Sequence, residues 1–482
     1  ASIEHGQGAS ASRGGMGAVM GDKKLKAIAV YGTKDINVAR PDKLYELSDQ
    51  ILKRSDKLRA FIDDVSHTQL VYSLAWATYG NLERQDQTPE GGDINAEFLK
   101  KFSPRRPACY NCQMACKREY VLPGSKSSYV KCVSQYVYWV ALKIKDFEFN
   151  ARFYSRAEGY GFDSVSTCAI LAFAIDLYEK GILTKEDTGM HLEFGNEDIA
   201  FELMRKIAFR EGIGDLLADG VYEAARRIGK GAEQHEYSIK KLEMWFIIPQ
   251  WTYGAFISAV GDKDLTRAAQ YVPQHLFGKS EQFKKEYIDS IWWPYPEEWK
   301  KWGMAPYDPT GGDWERLATM AAWDRDRITA SDCTGICTFW SGFLVYPPIQ
   351  IWDEAALVSY STGVDVDQEE IMRIGRRTGL LFKAYNVILG QRKKDDSYPE
   401  RFFREPSNPP QDKYPPLNRD NFNKMVDEYN RLRGLDSEGI PTRETLGKVG
   451  LDYVSEELEK RRILKNEEKD KSIPQSASSY GQ

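Results

Sequence analysis

The sequence predicts a mainly α-helical protein with more than one domain. The chain has 482 residues, which exceeds what one hydrophobic core usually serves, so we expect two or three domains. After Pro41, apolar residues recur mostly at helical spacing, whereas residues 25–31 (LKAIAVY) have the pattern of a strand. We therefore expect helices to build most of the core.

The clearest predicted helix covers residues 164–180. Ser164 is a candidate N-cap, and Gly181 follows as a stop signal. The apolar face between them predicts a largely buried helix and consists of Val165, Cys168, Ala169, Ile170, Phe173, Ala174, Leu177 and Tyr178. Further helices are predicted near residues 41–54, 198–208, 215–228, 366–389 and 421–433. We interpret residues 393–396 (KKDD) as a solvated turn and the polar residues 465–482 as a mobile tail.

Composition and charge argue against several classes of function. The net charge of -5 gives no electrostatic footprint for nucleic acid, and no apolar run approaches the roughly 20 residues that cross a bilayer. Residues 1–20 are small and polar, which is not the pattern of a signal peptide. The seven cysteines are an odd number, which favours a reducing compartment where clustered thiols bind metal. We therefore expect a cytoplasmic protein.

Three thiols lie close together in residues 106–121 (RPACYNCQMACKREYV). Cys109, Cys112 and Cys116 would share one face of a helix or turn, so they can converge on one inorganic centre. An iron–sulfur cube needs four cysteines, and Cys337 in the stretch SDCTGICTFW is a distant candidate for the fourth. We favour a cluster; a zinc site and unligated buried thiols remain alternatives.

A glycine-rich stretch follows Arg13. The sequence Gly14-Gly15-Met16-Gly17 superficially suggests a dinucleotide fingerprint, but that motif needs a helix after the loop, and here we predict a strand. We interpret the stretch as a loop whose backbone N–H groups approach an anionic ligand, with Arg13 as a charged clamp. A simple turn leading into the strand is the alternative.

Taken together, ordered motifs along nearly the whole chain resemble the aldehyde:ferredoxin oxidoreductase family of tungsten enzymes. They are RGGMGAVMG from Arg13, the Cys109-x2-Cys112-x3-Cys116 motif, Gly161-Phe162-Asp163, AFAIDLYEKGIL, GIGDLLADG, Asp332-x2-Gly335-Ile336-Cys337, and KAYNVILGQRKKDDSYPERF. The resemblance implies two helical domains, at residues 41–242 and 243–464. It also implies that residues 1–40 are the C-terminal end of the family's N-terminal β-rich domain.

The resemblance implies a tungsten atom held by two pyranopterins beside one [4Fe-4S] cluster. The pterin-binding residues would come from two similar motifs, Glu158-x2-Gly161-Phe162-Asp163 and Asp332-x2-Gly335-Ile336, with Cys337 as the fourth cluster ligand. The loop of Arg13, Gly14, Gly15 and Gly17 would hold the cofactor phosphates, and the carbonyl of Gly14 would help to bind a bridging magnesium. For Asp163 and Asp332, helix capping is the alternative.

Within this family, the chain is most similar to the active-site subunit of the class II benzoyl-CoA reductases. That likeness implies that Cys132 is a direct tungsten ligand, the alternative being an ordinary buried thiol. The segment upstream of the cluster motif differs, because Ala77 stands where those enzymes have a proton-donating histidine. His67 is a candidate acid in its place, the alternative being a solvated or capping histidine.

The resemblance therefore implies a low-potential oxidoreductase that acts on an acyl-CoA. One alternative is an aldehyde:ferredoxin oxidoreductase that oxidises aldehydes to acids, and another is an iron–sulfur electron-transfer or scaffold subunit without tungsten. The expected partners are a ferredoxin or ferredoxin-like iron–sulfur subunit and, if the gene is split, a polypeptide supplying the N-terminal β-rich domain. We also expect an oligomeric assembly.

Overall fold

A computed structural model of the chain is mainly helical, as the sequence predicts. It describes residues 1–4, 10–11, 13–64, 77–79, 84–86, 105, 107–113, 115, 117–121, 128–131, 141–144, 146–243, 252–261, 312–341, 348–405 and 415–464. Within these residues the strands form four small antiparallel pairs, β1–β2, β3–β4, β5–β6 and β7–β8. Their bounds are Ile3–Glu4, Ser10–Ala11, Ala77–Tyr79, Arg84–Asp86, Lys117–Tyr120, Ser128–Lys131, Ser238–Ile239 and Leu242–Glu243.

The α-helices occupy most of the rest of the described chain. In chain order, helices α1 to α9 are Met16–Asp22, Pro41–Asp64, Phe147–Gly159, Ser164–Glu179, Lys185–Thr188, Glu197–Phe209, Ile213–Leu217, Val221–Ile228 and Thr252–Val260. Helices α10 to α17 are Trp314–Thr334, Thr338–Ser341, Ile351–Thr362, Gln368–Ile388, Arg401–Arg404, Arg419–Arg433, Arg443–Lys448 and Asp452–Lys460. Each predicted helix thus has a counterpart, although the one predicted at 215–228 is divided into α7 and α8 before Gly220, whose φ is 88°.

Helix α4 has the predicted position but a different cap. The carboxylate of Asp163 accepts a hydrogen bond from the backbone N–H of Ser166 at 2.9 Å, so Asp163 is the N-cap and Ser164 is the first helical residue. Asp is as good a cap as Ser, and here the residue one position earlier has the extended backbone that a cap requires. The helix is buried on nearly all sides from Thr167 to Leu177.

The strand predicted at residues 25–31 does not form. This stretch has no regular secondary structure and is exposed, with Val30 and Tyr31 90% and 91% exposed. A strand is stable only when its backbone pairs with a neighbouring strand. The described residues provide no strand that pairs with this stretch.

The main hydrophobic core runs through both predicted helical domains. It includes Phe173 of α4, Phe256 of α9 and Phe422 of α15, and the rings of Phe256 and Phe422 pack edge to face with centroids 6.0 Å apart. A smaller core joins α13 to α16 and α17 through Leu380, Val387, Leu446 and Leu458. This packing joins helices on both sides of the predicted domain boundary between residues 242 and 243. The boundary itself remains a prediction.

Helices α10 and α13 pack unusually closely through a glycine. A Cβ atom built on Gly375 would lie 1.9 Å from the backbone oxygen of Asp326 in α10. One turn further along α13, a Cβ on Gly379 would lie 2.8 Å from Nη2 of Arg433. The absence of side chains at these two positions lets α13 approach both α10 and α15.

Gly375→Ala is expected to destabilise the protein by about 1–3 kcal/mol, because the new methyl group forces two buried backbones apart. Urea unfolding would measure this change in the free energy of unfolding. Gly159→Ala is the matched control, because a Cβ at this helical position meets no atom within 4 Å and alanine should leave stability unchanged or raise it by up to about 1 kcal/mol. Equal stability of the two variants would contradict the close helix contact.

Among the described residues, no individual helix combines the length and apolar character needed to cross a membrane. One bent pair, Glu148–Gly159 with Ser164–Glu179, passes that test by length and composition when its two helices are taken together.

Candidate functional site

The glycine-rich loop after Arg13 is followed by a helix. Gly14 and Gly15 have φ values of 92° and 74°, in the left-handed region that favours glycine, and α1 begins at Met16. The prediction that a strand follows this loop was therefore wrong. The dinucleotide interpretation still fails, because the strand before the loop is the two-residue β2, which pairs antiparallel with β1 rather than forming a βαβ unit.

This loop contacts the first predicted pterin motif, which lies far away in the sequence. Nη1 of Arg13 lies 3.4 Å from Oδ2 of Asp163, 150 residues later in the chain. The N–H of Ser2 donates to the backbone oxygen of Gly161 at 2.8 Å. Gly17 packs against the same N-terminal residues. Its N–H donates to the backbone oxygen of Ala1 at 3.0 Å, and a Cβ there would lie 2.2 Å from the backbone oxygen of Ser2. Two stretches that the sequence assigned to one cofactor site therefore meet.

Arg13 also contacts the β7–β8 hairpin. Its side chain is 8% exposed, and Nη2 donates a hydrogen bond to the backbone oxygen of Glu243. The side chain of Glu243 in turn accepts from the N–H of Val221, the first residue of α8, at 2.9 Å. The guanidinium is thus fixed between the start of α4 and the hairpin.

The two predicted pterin motifs have the same backbone geometry. Gly161 and Gly335 have φ values of 74° and 76° at the ends of α3 and α10. In each motif, the N–H of the residue after the glycine donates a hydrogen bond to the backbone oxygen five residues earlier. These bonds are Phe162 to Ala157 at 2.9 Å and Ile336 to Ser331 at 3.2 Å. These bonds are those of a helix that ends in a left-handed glycine.

The next residue in each motif directly precedes another helix. Asp163 stands immediately before α4, and Cys337 immediately before α11. The Asp163 carboxylate and the Cys337 thiol thus occupy equivalent positions in two equivalent turns. The capping alternative fits Asp163, which caps α4, but it does not fit Asp332, which lies within α10.

Cys109 and Cys112 lie in a tight turn rather than in the core. The N–H of Cys112 donates to the oxygen of Cys109 at 2.9 Å, and Cys109 is exposed. Asn111 and Ala115 have φ values of 54° and 43°, which is uncommon for residues with a side chain and tends to occur at functional loops. Cys168 is the opposite case, because it is fully buried and burial raises the pKa of its thiol.

Three predicted site residues, Cys116, Cys132 and His67, lie outside the described residues. Cys337 is described and exposed. Within the described part of the chain, no three His, Cys, Asp or Glu side chains are grouped closely enough to hold one metal ion. The cluster ligands therefore remain a prediction.

The chemistry of the described residues suits the cofactors that the resemblance implies. Exposed thiols such as Cys109 and Cys337 are the ligands of iron–sulfur clusters. A guanidinium beside left-handed backbone, as at Arg13 and Gly14, suits phosphate groups. The carboxylates of Glu158 and Asp163 accept hydrogen bonds of the kind that the amino groups of a pterin donate. The types of side chain present therefore suit both groups.

A buried charge cluster close to the β7–β8 hairpin was not anticipated from the sequence. Asp396, interpreted above as part of a solvated turn, is 3% exposed. Its carboxylate lies 2.6 Å from Nζ of Lys240 and 3.2 Å from Nζ of Lys383. Lys240 and Lys241 form the hairpin turn with φ values of 50° and 68°, which are the left-handed values that a two-residue hairpin turn requires. No local sequence pattern predicts this contact.

Comparison with known proteins places these features in a family. A family model described as aldehyde ferredoxin oxidoreductase, domains 2 & 3, matches residues 44–451. The chain is 27% identical over 463 residues to the tungsten-containing aldehyde ferredoxin oxidoreductase of Pyrococcus horikoshii, covering 92% of this chain and 70% of that protein. It is 26% identical over 481 residues to the aliphatic sulfonate oxidoreductase, WOR-like subunit, of Pyrococcus furiosus, covering 94% of this chain and 68% of that protein.

A solved structure is similar as well. The chain matches the active site complex BamBC of benzoyl coenzyme A reductase in complex with 1,5 dienoyl-CoA with a TM-score of 0.79 and 28% identity. The match covers 97% of this chain and 73% of that chain.

Proposed function

The chain belongs to the aldehyde ferredoxin oxidoreductase family, and we propose that it is the catalytic subunit of a tungsten-bispterin oxidoreductase served by one [4Fe-4S] cluster. The observation that carries the proposal is the contact between the Arg13 loop and Asp163. Two motifs that the family resemblance assigns to one cofactor site, 150 residues apart, meet in the fold.

The residues of the site have distinct tasks in this proposal. Arg13 and the backbone of Gly14 and Gly15 would hold phosphate groups and a bridging magnesium, and Gly17, whose N–H donates to Ala1, would support this loop from behind. The motif residues Glu158, Gly161, Phe162 and Asp163 contact one pterin, and Asp332, Gly335 and Ile336 contact the other. When bound, the tungsten–pterin group supplies the two-electron redox chemistry, and the protein supplies position and electrostatics.

The cluster is assigned to Cys109, Cys112, Cys116 and Cys337. Cys337 follows Asp332 by five residues, so one turn would carry both a pterin contact and a cluster ligand. This adjacency supports a short path for electrons between the two groups. A ferredoxin or ferredoxin-like iron–sulfur subunit is the proposed electron partner.

For the substrate, we favour an acyl-CoA. The support is the structural similarity to the BamBC active site complex of benzoyl coenzyme A reductase, which was solved with 1,5 dienoyl-CoA. In this proposal Cys132 is a tungsten ligand and His67 is an acid. The second candidate is oxidation of an aldehyde to its acid, which the similarity to the aldehyde ferredoxin oxidoreductases favours.

X-ray absorption at the tungsten edge separates these two candidates. With an acyl-CoA reductase we expect one sulfur ligand in the wild-type coordination shell to disappear in Cys132→Ser, together with reduction of benzoyl-CoA by a low-potential donor. Cys333→Ser is the matched control, because this exposed thiol lies outside the proposed ligand set. An unchanged shell in Cys132→Ser, with oxidation of aldehydes by the wild type, would support the second candidate instead.

The exposed segment at residues 25–37 supports a further partner. Ile28 and Ile36 are 73% and 89% exposed, and they share this segment with Val30 and Tyr31. Several exposed apolar residues in one short segment are typical of a surface that another element covers. We propose that a β-rich element, in a partner polypeptide or elsewhere in the complete protein, covers this segment.

A further inference from the structure

A buried carboxylate lies beneath the second motif. Glu354 of α12 is 0% exposed, and Arg327 of α10 is 2% exposed. Nη1 of Arg327 donates to Oε2 of Glu354, which forms a fully buried ion pair. Removing two charges from water is costly, so such a pair persists only when further hydrogen bonds satisfy its polar atoms.

Hydroxyl groups supply these further bonds. The hydroxyl of Thr334 donates to Oε1 of Glu354 at 2.6 Å, which is shorter than its 3.1 Å contact with the backbone oxygen of Ser331. The hydroxyl of Ser331 lies 3.2 Å from Oε2 of Glu354 and 3.3 Å from the hydroxyl of Ser341. The Glu354 carboxylate of α12 thus bonds to side chains of α10, and one of these, Ser331, contacts Ser341 of α11.

This network holds both ends of the turn that carries Cys337. Thr334 directly precedes Gly335, and Ser341 ends α11 on the other side of the turn. Within the turn, the N–H of Trp340 donates to the oxygen of Cys337 at 2.8 Å. The backbone of Cys337 is therefore fixed by bonds on both sides, while its thiol remains exposed.

We propose that Glu354 is a positioning residue for Cys337, acting directly through Thr334 and, by way of Ser331, through Ser341. This inference rests on the proposed function, in which Cys337 binds the cluster. Hydrogen bonds and ligand orientation around a cluster set its reduction potential. A network that fixes the ligand's backbone therefore tunes that potential without touching the cluster.

Thr334→Val tests the proposal, because valine keeps the shape of threonine and removes the hydroxyl, with its short bond to Glu354 and its longer contact to the backbone oxygen of Ser331. We expect anaerobically purified Thr334→Val to contain as much iron as the wild type but to show a shifted midpoint potential and altered EPR g values. Thr334→Ser, which restores the hydroxyl, should return both to wild-type values. If Thr334→Val does not accumulate as folded protein, Ser341→Ala removes the bond at the other end of the turn and tests the same expectation.

Thr319→Val is the matched control. Thr319 lies in the same helix, and among the described residues its hydroxyl bonds to the backbone oxygen of Glu315 one turn earlier, at 3.0 Å. The midpoint potential and the EPR spectrum of Thr319→Val should match those of the wild type. An unchanged potential and spectrum in iron-loaded Thr334→Val would overturn the positioning role. A wild-type protein without iron would overturn the proposed function itself, so the two failures are distinct.

Discussion

Cys337→Ser is expected to lose the iron–sulfur cluster and, with it, electron transfer to the substrate site. A serine hydroxyl stays protonated near neutral pH and is a poor replacement for a thiolate on iron. Iron and acid-labile sulfide should therefore fall towards zero in the anaerobically purified variant, and activity with an artificial low-potential donor should fall to background. Iron analysis and EPR spectroscopy measure the first effect, and a dye-linked assay measures the second.

Cys333→Ser is the control for this experiment. Cys333 is exposed and lies four residues earlier, in the last turn of α10, where its sulfur is 3.4 Å from the hydroxyl of Thr378. The same change of sulfur to oxygen there should leave the iron content intact. Equal iron in the Cys337 and Cys333 variants would exclude Cys337 as a cluster ligand.

Asp326→Asn is expected to give the largest loss of stability, about 3–5 kcal/mol. The carboxylate of Asp326 in α10 accepts from Nη1 of Arg433 in α15 and lies 3.4 Å from Nη1 of Arg376 in α13. The Arg433 side chain is 2% exposed. Without the negative charge, two guanidinium groups would face each other at the junction of three helices.

The pKa of Arg376 reflects the same opposition between its neighbouring positive and negative charges. Burial and the positive charge of Arg433 lower the pKa of the Arg376 guanidinium, and the carboxylate of Asp326 opposes that shift. Removing the carboxylate therefore leaves the repulsion uncompensated. Urea unfolding would measure the resulting decrease in the free energy of unfolding.

Asp427→Asn is the matched control for Asp326→Asn. Asp427 also pairs with a cation, Lys393, but its side chain is 60% exposed. Exposed ion pairs contribute little to stability, so this variant should stay within about 1 kcal/mol of the wild type. If Asp326→Asn lost no more unfolding free energy than Asp427→Asn, the three-helix junction would not depend on the charge of Asp326.

The helices and the left-handed glycine turns of the two motifs could be anticipated from the sequence because both have local signatures. The apolar run around Phe173 predicted the buried α4, and the glycines at 161 and 335 stand where the chain must adopt a left-handed turn. The contact between Arg13 and Asp163 was not itself predicted, because the family resemblance only assigned both residues to one cofactor site. No spacing rule links residues 150 positions apart.

Other features depend on tertiary contacts that a single sequence does not encode locally. Asp396 belongs to a polar run typical of a solvated turn, yet Lys240 and Lys383 reach it from distant elements and allow its burial. Residues 25–31 have the composition of a strand, but pairing is decided by a neighbour outside the segment. Glu354 similarly lies in an ordinary helix, and only folding brings Thr334 within 2.6 Å of it.

Metal and pterin analysis of the anaerobically purified wild-type protein tests the central claim most directly. We predict tungsten and pterin together with iron at about four atoms for each tungsten, as one cube beside one tungsten site requires. Iron and sulfide without tungsten or pterin would contradict the catalytic role and support an electron-transfer or scaffold subunit. Zinc as the only bound metal would contradict both the tungsten site and the cluster.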